Sequence, residues 1–167
     1  MDHCIIDLQG FKRSLNKFVF KEVAVIAAEA DAQPTVFLFQ APFPWTALSQ
    51  EYKSSNNWLQ RNYHGLSWES GHIPYEALQQ TLEAVLADSA TIYIKGLEKK
   101  NWLAELLPNK FIYNVEGFDC PALSKLPRSR YYNCSNHCGL KNYRCAAENV
   151  QILKSWLLSI TRDEVDT

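Results

Sequence analysis

The residues best suited to chemistry in this sequence are three metal-ligand types near its C-terminal end. Cys134 and His137 are separated by two residues, and Cys145 follows after seven more. Thiolate and imidazole are preferred zinc ligands, and two ligands at this spacing can wrap around one tetrahedral ion. Three ligands leave a structural zinc site incomplete, and Cys138 is a competing thiol beside the histidine.

A carboxylate in an apolar strand offers a fourth ligand. Alternation along residues 18–28 places Glu22 on one face with four apolar residues, namely Phe18, Phe20, Ala24 and Ile26. A carboxylate buried there is costly unless it is paired or coordinates a metal. The residues alone leave open an ion pair of Glu22 with a lysine or arginine, a buried apolar role for Cys145 and a loop-capping role for His137.

The elements that must position these residues can be read from hydrophobic patterning. Apolar segments at 4–8, ending at Gly10, and at 18–28 and 35–39 predict three strands in an antiparallel meander. Two more strands are expected at 91–94 and 111–115, and helices within 50–63, 74–87, 102–107 and 145–160. Strands that later alternate with helices favour an α/β domain with a mixed sheet flanked by helices.

The composition limits the classes of function. The chain has 167 residues, a net charge of −1 and 47% hydrophobic residues, which is typical of one folded domain. Bulk charge gives no support for strong non-specific nucleic-acid binding. The sequence lacks a long apolar run and a signal-peptide pattern, so we expect no membrane span and an intracellular, cytoplasmic or nuclear location. Five cysteines without a leader favour reduced thiols or a metal.

Several local sequences resemble motifs of the RNase H-like 3′–5′ exonucleases of the DEDDh type. Residues 5–9, Ile-Ile-Asp-Leu-Gln, are similar to the first-strand Asp-x-Glu motif, with Gln9 in place of the second carboxylate. His64 and Gly65 lie in a segment similar to His-Gly-Ile-Thr. Lys99 stands where a second motif has Asp, and Glu148 stands where the last motif, His-x-Ala-x-x-Asp, has Asp. The resemblance implies one RNase H-like domain over residues 1–167.

The departures from these motifs affect the chemistry. Such nucleases hold two metal ions with about four carboxylates, and the ions bind the attacking water and the leaving oxygen. Gln9 removes one charge and Lys99 places a cation where a cation must bind. We therefore expect no catalytic residues, with Asp7 and Glu148 as vestiges of the nuclease site. An active ribonuclease with a non-standard site is the alternative.

The tetrad also resembles that of the Maelstrom domain, a branch of the same fold. That family replaces the nuclease carboxylates with a zinc-binding Glu-Cys-His-Cys set. Its glutamate lies in a second strand, as Glu22 does here, and its Cys-x-x-His and Cys-Ala segments are similar to those at Cys134, His137 and Cys145. The resemblance implies a bound Zn²⁺ with a structural role, and a link to small-RNA and transposon pathways.

A basic and aromatic segment is a candidate surface for single-stranded RNA. Basic residues with stackable rings are what a single strand requires, and they are combined in Lys125, Arg128, Arg130, Tyr131 and Tyr132. A solvated loop with ordinary charge explains the same residues. The sequence thus predicts a zinc-stabilised, non-catalytic nuclease-fold domain that binds RNA or a protein partner, and a pure interaction scaffold is a further alternative.

Overall fold

A long antiparallel hairpin forms the interior of the sheet. Its strands, β1 (His3–Arg13) and β2 (Lys17–Ala27), are rich in β-branched and aromatic residues, which favour strand structure. The computed structural model describes residues 2–128, 134–137 and 143–165. Both strands are buried along most of their length, so elements must cover the hairpin on both faces.

Three shorter strands complete a five-stranded mixed sheet. They are β3 (Thr35–Leu38), β4 (Thr91–Ile94) and β5 (Phe111–Asn114). The strand order is β3-β2-β1-β4-β5. The β1–β2 and β2–β3 pairs are antiparallel, whereas β1–β4 and β4–β5 are parallel. The predicted α/β class and the antiparallel three-strand meander are confirmed.

Helices cover both faces of the sheet. They are α1 (Gln50–Asn62), α2 (Leu78–Val85), α3 (Leu97–Leu106) and α4 (Ala146–Val165). Leu82 of α2 and Leu103 of α3 belong to the hydrophobic core on one face, and Val150 of α4 belongs to the core on the other. Within the described part of the chain, no helix combines the length and apolar character that crossing a membrane requires.

The third helix begins earlier than its apolar pattern indicated. α3 starts at Leu97, although the sequence predicted a helix only over 102–107. Its first turns contain Glu98, Lys99 and Lys100, so no apolar period marks them. The extension places Lys99 on α3, from which its ammonium reaches Asp7 of β1.

Gly10 lies inside β1, although the sequence predicted that the strand ends there. The pairing of the two hairpin strands shifts at this point and skips Lys21 of β2, which forms a β-bulge. A Cβ at Gly10 would lie 1.9 Å from the carbonyl oxygen of Val19. The close approach of the two backbones therefore requires glycine, and the strand continues to Arg13.

The bulge reverses the alternation of side chains along β2. Phe18 and Phe20 pack in the core beneath α2 and α3, whereas Ala24 and Ile26 pack beneath α4. Glu22 also faces α4, where it accepts a backbone hydrogen bond. The prediction that both phenylalanines share a face with Glu22 is wrong, because the extra residue turns them to the other face.

Lys21 is fully buried at the bulge. Its ammonium donates to the carbonyl oxygens of Phe39 at 2.8 Å and Trp68 at 3.2 Å, and also to that of Ser70. Burial lowers its pKa to about 8, but three carbonyl acceptors match the three N–H donors of the charged form. Lys21 thereby ties β2 to the end of β3 and to the segment at 68–70.

Gly10→Ala should lower the free energy of unfolding by about 2 kcal/mol or more, because the new Cβ must push two packed backbones apart. Urea denaturation followed by circular dichroism measures the change. Gly117→Ala is the matched control, since a Cβ there meets no atom within 4 Å. Equal losses in the two variants would contradict the role assigned to Gly10.

Candidate metal centre

Four potential ligands from three separate segments meet beneath the start of α4. Glu22 comes from β2, Cys134 and His137 from the segment 134–137, and Cys145 from the residue before α4. One ligand atom from each residue lies within 4.8 Å of the others, and all four residues are buried. The structure thus brings together the four residues that the sequence indicated as metal ligands.

Glu22 connects the ligand segments to the final helix. Its Oε1 accepts a hydrogen bond of 2.8 Å from the backbone N–H of Ala146, the first residue of α4. Its Oε2 accepts one of 3.0 Å from the Asn136 side chain. Burial opposes ionisation, but the contacts with His137, Asn136 and Ala146 outweigh it, so the pKa of Glu22 is lower than its usual value. An ionised carboxylate is the form that binds a metal.

His137 is held with one ring nitrogen directed into the cluster. Its Nδ1 hydrogen-bonds to the carbonyl oxygen of His64 and must be the protonated nitrogen, since a carbonyl only accepts. Its Nε2 is 3.0 Å from Glu22 Oε2, but the angle is not that of a hydrogen bond, and this buried atom has no hydrogen-bond partner among the described residues. The ring of Tyr143 stacks on the imidazole at 4.1 Å.

This arrangement of His137 is typical of a metal ligand. Metal-bound histidines generally donate the second N–H to a carbonyl or carboxylate, which fixes the tautomer and the ring orientation. Burial by itself lowers the pKa of His137, but the adjacent Cys134 side chain and the charge of Glu22 raise it to about 10. The cluster therefore stabilises positive charge at its centre.

The two thiols form an unequal pair. A hydrogen bond with Cys145 lowers the pKa of Cys134 to about 6, against the opposing effect of burial. The same hydrogen bond, together with burial, raises the pKa of Cys145. Cys134 Sγ also lies 3.4 Å from Glu22 Oε2. The thiolate is the ligand form of cysteine, so the lowered pKa of Cys134 favours its role as a ligand.

The donor set fits a metal ion. Two sulfurs, one imidazole nitrogen and one carboxylate oxygen are ligands that tetrahedral sites commonly use, and bonds of about 2.0–2.3 Å to a central ion fit atoms this close to one another. The Nε2 of His137, which no hydrogen bond engages among the described residues, supplies the lone pair that such an ion needs once its proton is displaced. These residues can hold a metal ion.

No protein-family model and no curated protein matches this sequence.

A second polar cluster surrounds Asp7 of β1, which is 2% exposed. Its Oδ1 accepts a hydrogen bond of 2.7 Å from the Lys99 ammonium, which forms an ion pair. Its Oδ2 accepts hydrogen bonds from Asn149 of α4 at 2.8 Å and, more weakly, from Gln9 at 3.4 Å. Both carboxylate oxygens are therefore engaged by groups of the chain itself.

Glu148 does not join Asp7. Its carboxylate binds the guanidinium of Arg128 in two contacts, at 2.8 and 3.3 Å, on the outer side of α4. Asn149, one residue further along the helix, faces Asp7 instead. The roles of Asn149 and Asn136 as hydrogen-bond donors to the buried carboxylates were not predicted from the sequence. Single asparagines in a helix or a loop follow no recognisable spacing pattern.

The predicted RNA-binding segment is described only in part. Lys125 is exposed after β5. Arg128 is also exposed but is engaged by Glu148. Arg130, Tyr131 and Tyr132, and the competing thiol Cys138, lie outside the described residues.

His64 is a buried structural residue. Its Nε2 lies 2.8 Å from the carbonyl oxygen of Gly10, and its Nδ1 accepts from the backbone N–H of Leu66 at 3.0 Å. Burial lowers its pKa to about 4, so the ring is neutral at physiological pH. With both nitrogens engaged, it holds β1 close to the segment that follows α1.

Lys99→Met should lower the free energy of unfolding by about 2 kcal/mol, because it leaves the buried Asp7 carboxylate with amide donors only. Adding Asp7→Asn should restore about half of that loss, since no unpaired charge then remains. Chemical denaturation of the single and double variants measures both changes. Lys100→Met is the control, as Lys100 is not a partner of Asp7. A double variant no more stable than Lys99→Met would contradict the ion-pair argument.

Proposed function

We propose that this chain is a non-catalytic RNase H-like domain that a structural zinc ion stabilises and that binds single-stranded RNA without cleaving it. The observation that carries the proposal is the environment of Asp7. Lys99, Asn149 and Gln9 occupy both oxygens of the one carboxylate that matches the nuclease motif outright. An ammonium 2.7 Å from that carboxylate repels the metal ions on which two-metal catalysis depends.

The topology supports the RNase H-like part of the proposal. Three antiparallel strands are followed by two that pair in parallel on the other side of β1. Asp7 lies on this central strand, and α4 and α3 direct Asn149 and Lys99 towards it. In the exonuclease family that the sequence resembles, the catalytic carboxylates are carried by the corresponding strand and helices.

The donor chemistry supports zinc. Thiolate, imidazole and carboxylate ligands in a four-coordinate set are typical of Zn²⁺, and four protein ligands leave no position open for water. A closed site of this kind stabilises a fold rather than catalysing a reaction. The ion would link β2 to the segment 134–137 and to the start of α4.

The RNA part of the proposal rests on the resemblance to the exonuclease and Maelstrom families. A fold that binds a single strand in a nuclease can keep that surface after the metal ligands are replaced. The Maelstrom-like tetrad further supports a role in a small-RNA or transposon pathway.

The purified protein should contain one zinc ion per chain, and chelation should lower its melting temperature, because binding energy at a structural site is folding energy. Cys145→Ala should abolish stoichiometric zinc and cost about 3 kcal/mol or more, beyond the loss of a small buried side chain. Metal analysis and thermal denaturation measure these changes.

Cys120→Ala is the matched control for the zinc prediction. Cys120 is buried in the same hydrophobic core as Cys145 but lies outside the ligand cluster. The control should keep its zinc and lose about 1 kcal/mol. A protein without stoichiometric zinc, whose melting temperature is insensitive to chelator, would refute the metal proposal.

The wild-type protein should retard a labelled single-stranded RNA and leave it uncut in Mg²⁺ or Mn²⁺. The reason is that Asp7 is engaged by Lys99 and the motif partner Gln9 carries no charge. Gel analysis of the RNA after prolonged incubation gives both readouts. Metal-dependent degradation that Asp7→Ala abolishes would favour an active ribonuclease, and the absence of any RNA binding would favour an interaction scaffold.

A further inference from the structure

Trp58 is an exposed aromatic residue on a polar helix. Its side chain is 57% exposed, although α1 contains few other apolar residues. The face of α1 that packs on the protein carries Tyr52, Asn56 and Leu59 instead. Trp58 is thus not required by the packing of the described chain.

The indole is supported by a second ring. Trp58 and Tyr63 are stacked, with ring centroids 6.5 Å apart and planes inclined by 22°. The backbone carbonyl of Tyr63 accepts a hydrogen bond of 2.8 Å from the N–H of Arg144. The next carbonyl, that of His64, accepts from His137. The aromatic pair is therefore anchored to the two segments that carry the metal ligands.

Three basic residues lie near this pair in the fold. Lys12 and Trp58 line the same open depression of the surface. The depression has a volume of about 510 Å³, and Ser54, Ser55 and Leu59 complete its lining. The backbone of Lys12 is held by two hydrogen bonds to the Asn56 side-chain amide. Arg61 on α1 and Arg144 beside Tyr63 are exposed as well. None of the three basic residues forms an ion pair with another described residue.

We propose that this surface binds single-stranded nucleic acid, with one base stacked on Trp58 and the adjacent phosphates held by Lys12 and Arg61. We call it the Trp58 platform, and it comprises Lys12, Trp58, Arg61, Tyr63 and Arg144. Exposed rings beside unpaired cations are what sequence-tolerant binding of a single strand requires.

The inference rests on the proposed RNA-binding function and assigns it to a different place from the segment 125–132. The metal centre would affect the Trp58 platform indirectly, because His137 and Arg144 hydrogen-bond to the backbone at Tyr63 and His64. The rings and cations of the platform themselves are the binding groups.

Binding of a labelled oligouridine about 12 nucleotides long, followed by fluorescence anisotropy, tests the platform. Trp58→Ala should weaken binding about tenfold, which corresponds to the stacking of one base, and Trp58→Phe should recover most of the affinity because it keeps a π-face. Phe111→Ala is the matched control, since Phe111 is 69% exposed at the far edge of the sheet on β5. Unchanged melting temperatures verify that the variants are folded.

Two further measurements locate the strand. Oligouridine should quench part of the tryptophan emission of the wild type, and Trp58→Phe should lose that quenching while it still binds. Lys12→Ala should reduce the dependence of log affinity on log salt by about 0.7, the value for one phosphate contact of a single strand. Lys125→Ala, in the segment indicated by the sequence, should leave that dependence unchanged.

The outcomes separate this inference from the function on which it rests. If the wild type binds the RNA and Trp58→Ala binds it equally well, the platform is wrong and the RNA-binding function stands. If the wild type binds no RNA, both are wrong. If it instead forms a dimer in sedimentation that Trp58→Ala dissociates, the platform is an interface between copies of the chain and the proposal is overturned.

Discussion

The architecture around the metal centre depends on one fully buried carboxylate. Glu22 lies where β2, the segment 134–137 and the start of α4 meet, and the last two of these direct hydrogen-bond donors at its carboxylate. A buried ionised carboxylate is tolerated only when its lone pairs are satisfied. The N–H of Ala146 at the positive end of α4 satisfies one oxygen, and the side chains of Asn136 and His137 surround the other. Folding must therefore assemble all three segments together.

The same principle explains the partners of Asp7. Without partners, this buried carboxylate would be an uncompensated charge. Here Lys99 supplies the positive charge from within the chain, and Asn149 supplies a neutral donor. An internal ammonium neutralises Asp7 without an ion from solution. Glu148 of α4 forms an ion pair with Arg128 instead.

The two polar clusters lie on one face of the sheet and differ in how their charge is balanced. The cluster around Glu22 collects soft and anionic donors and stabilises positive charge, while the cluster around Asp7 is already neutralised. α4 contributes to both through its first four residues, since Ala146 contacts Glu22 and Asn149 contacts Asp7. The start of α4 therefore links the two clusters, and a change at either cluster is expected to displace the other.

Local patterns were sufficient to predict the strands, the mixed sheet and the four ligand types, because strand alternation and the Cys-x-x-His spacing are properties of short segments. The bulge at Lys21 was not predictable, since it depends on how closely β1 approaches β2 at Gly10. It turned Phe18 and Phe20 away from Glu22, yet left the carboxylate facing α4. Tertiary structure also decided that Asn149 rather than Glu148 reaches Asp7, because the rotation of α4 about its axis is set by the packing of Val150 and Leu153 against the sheet. Residue types thus determine which chemistry is available, and long-range backbone pairing decides which side chains meet.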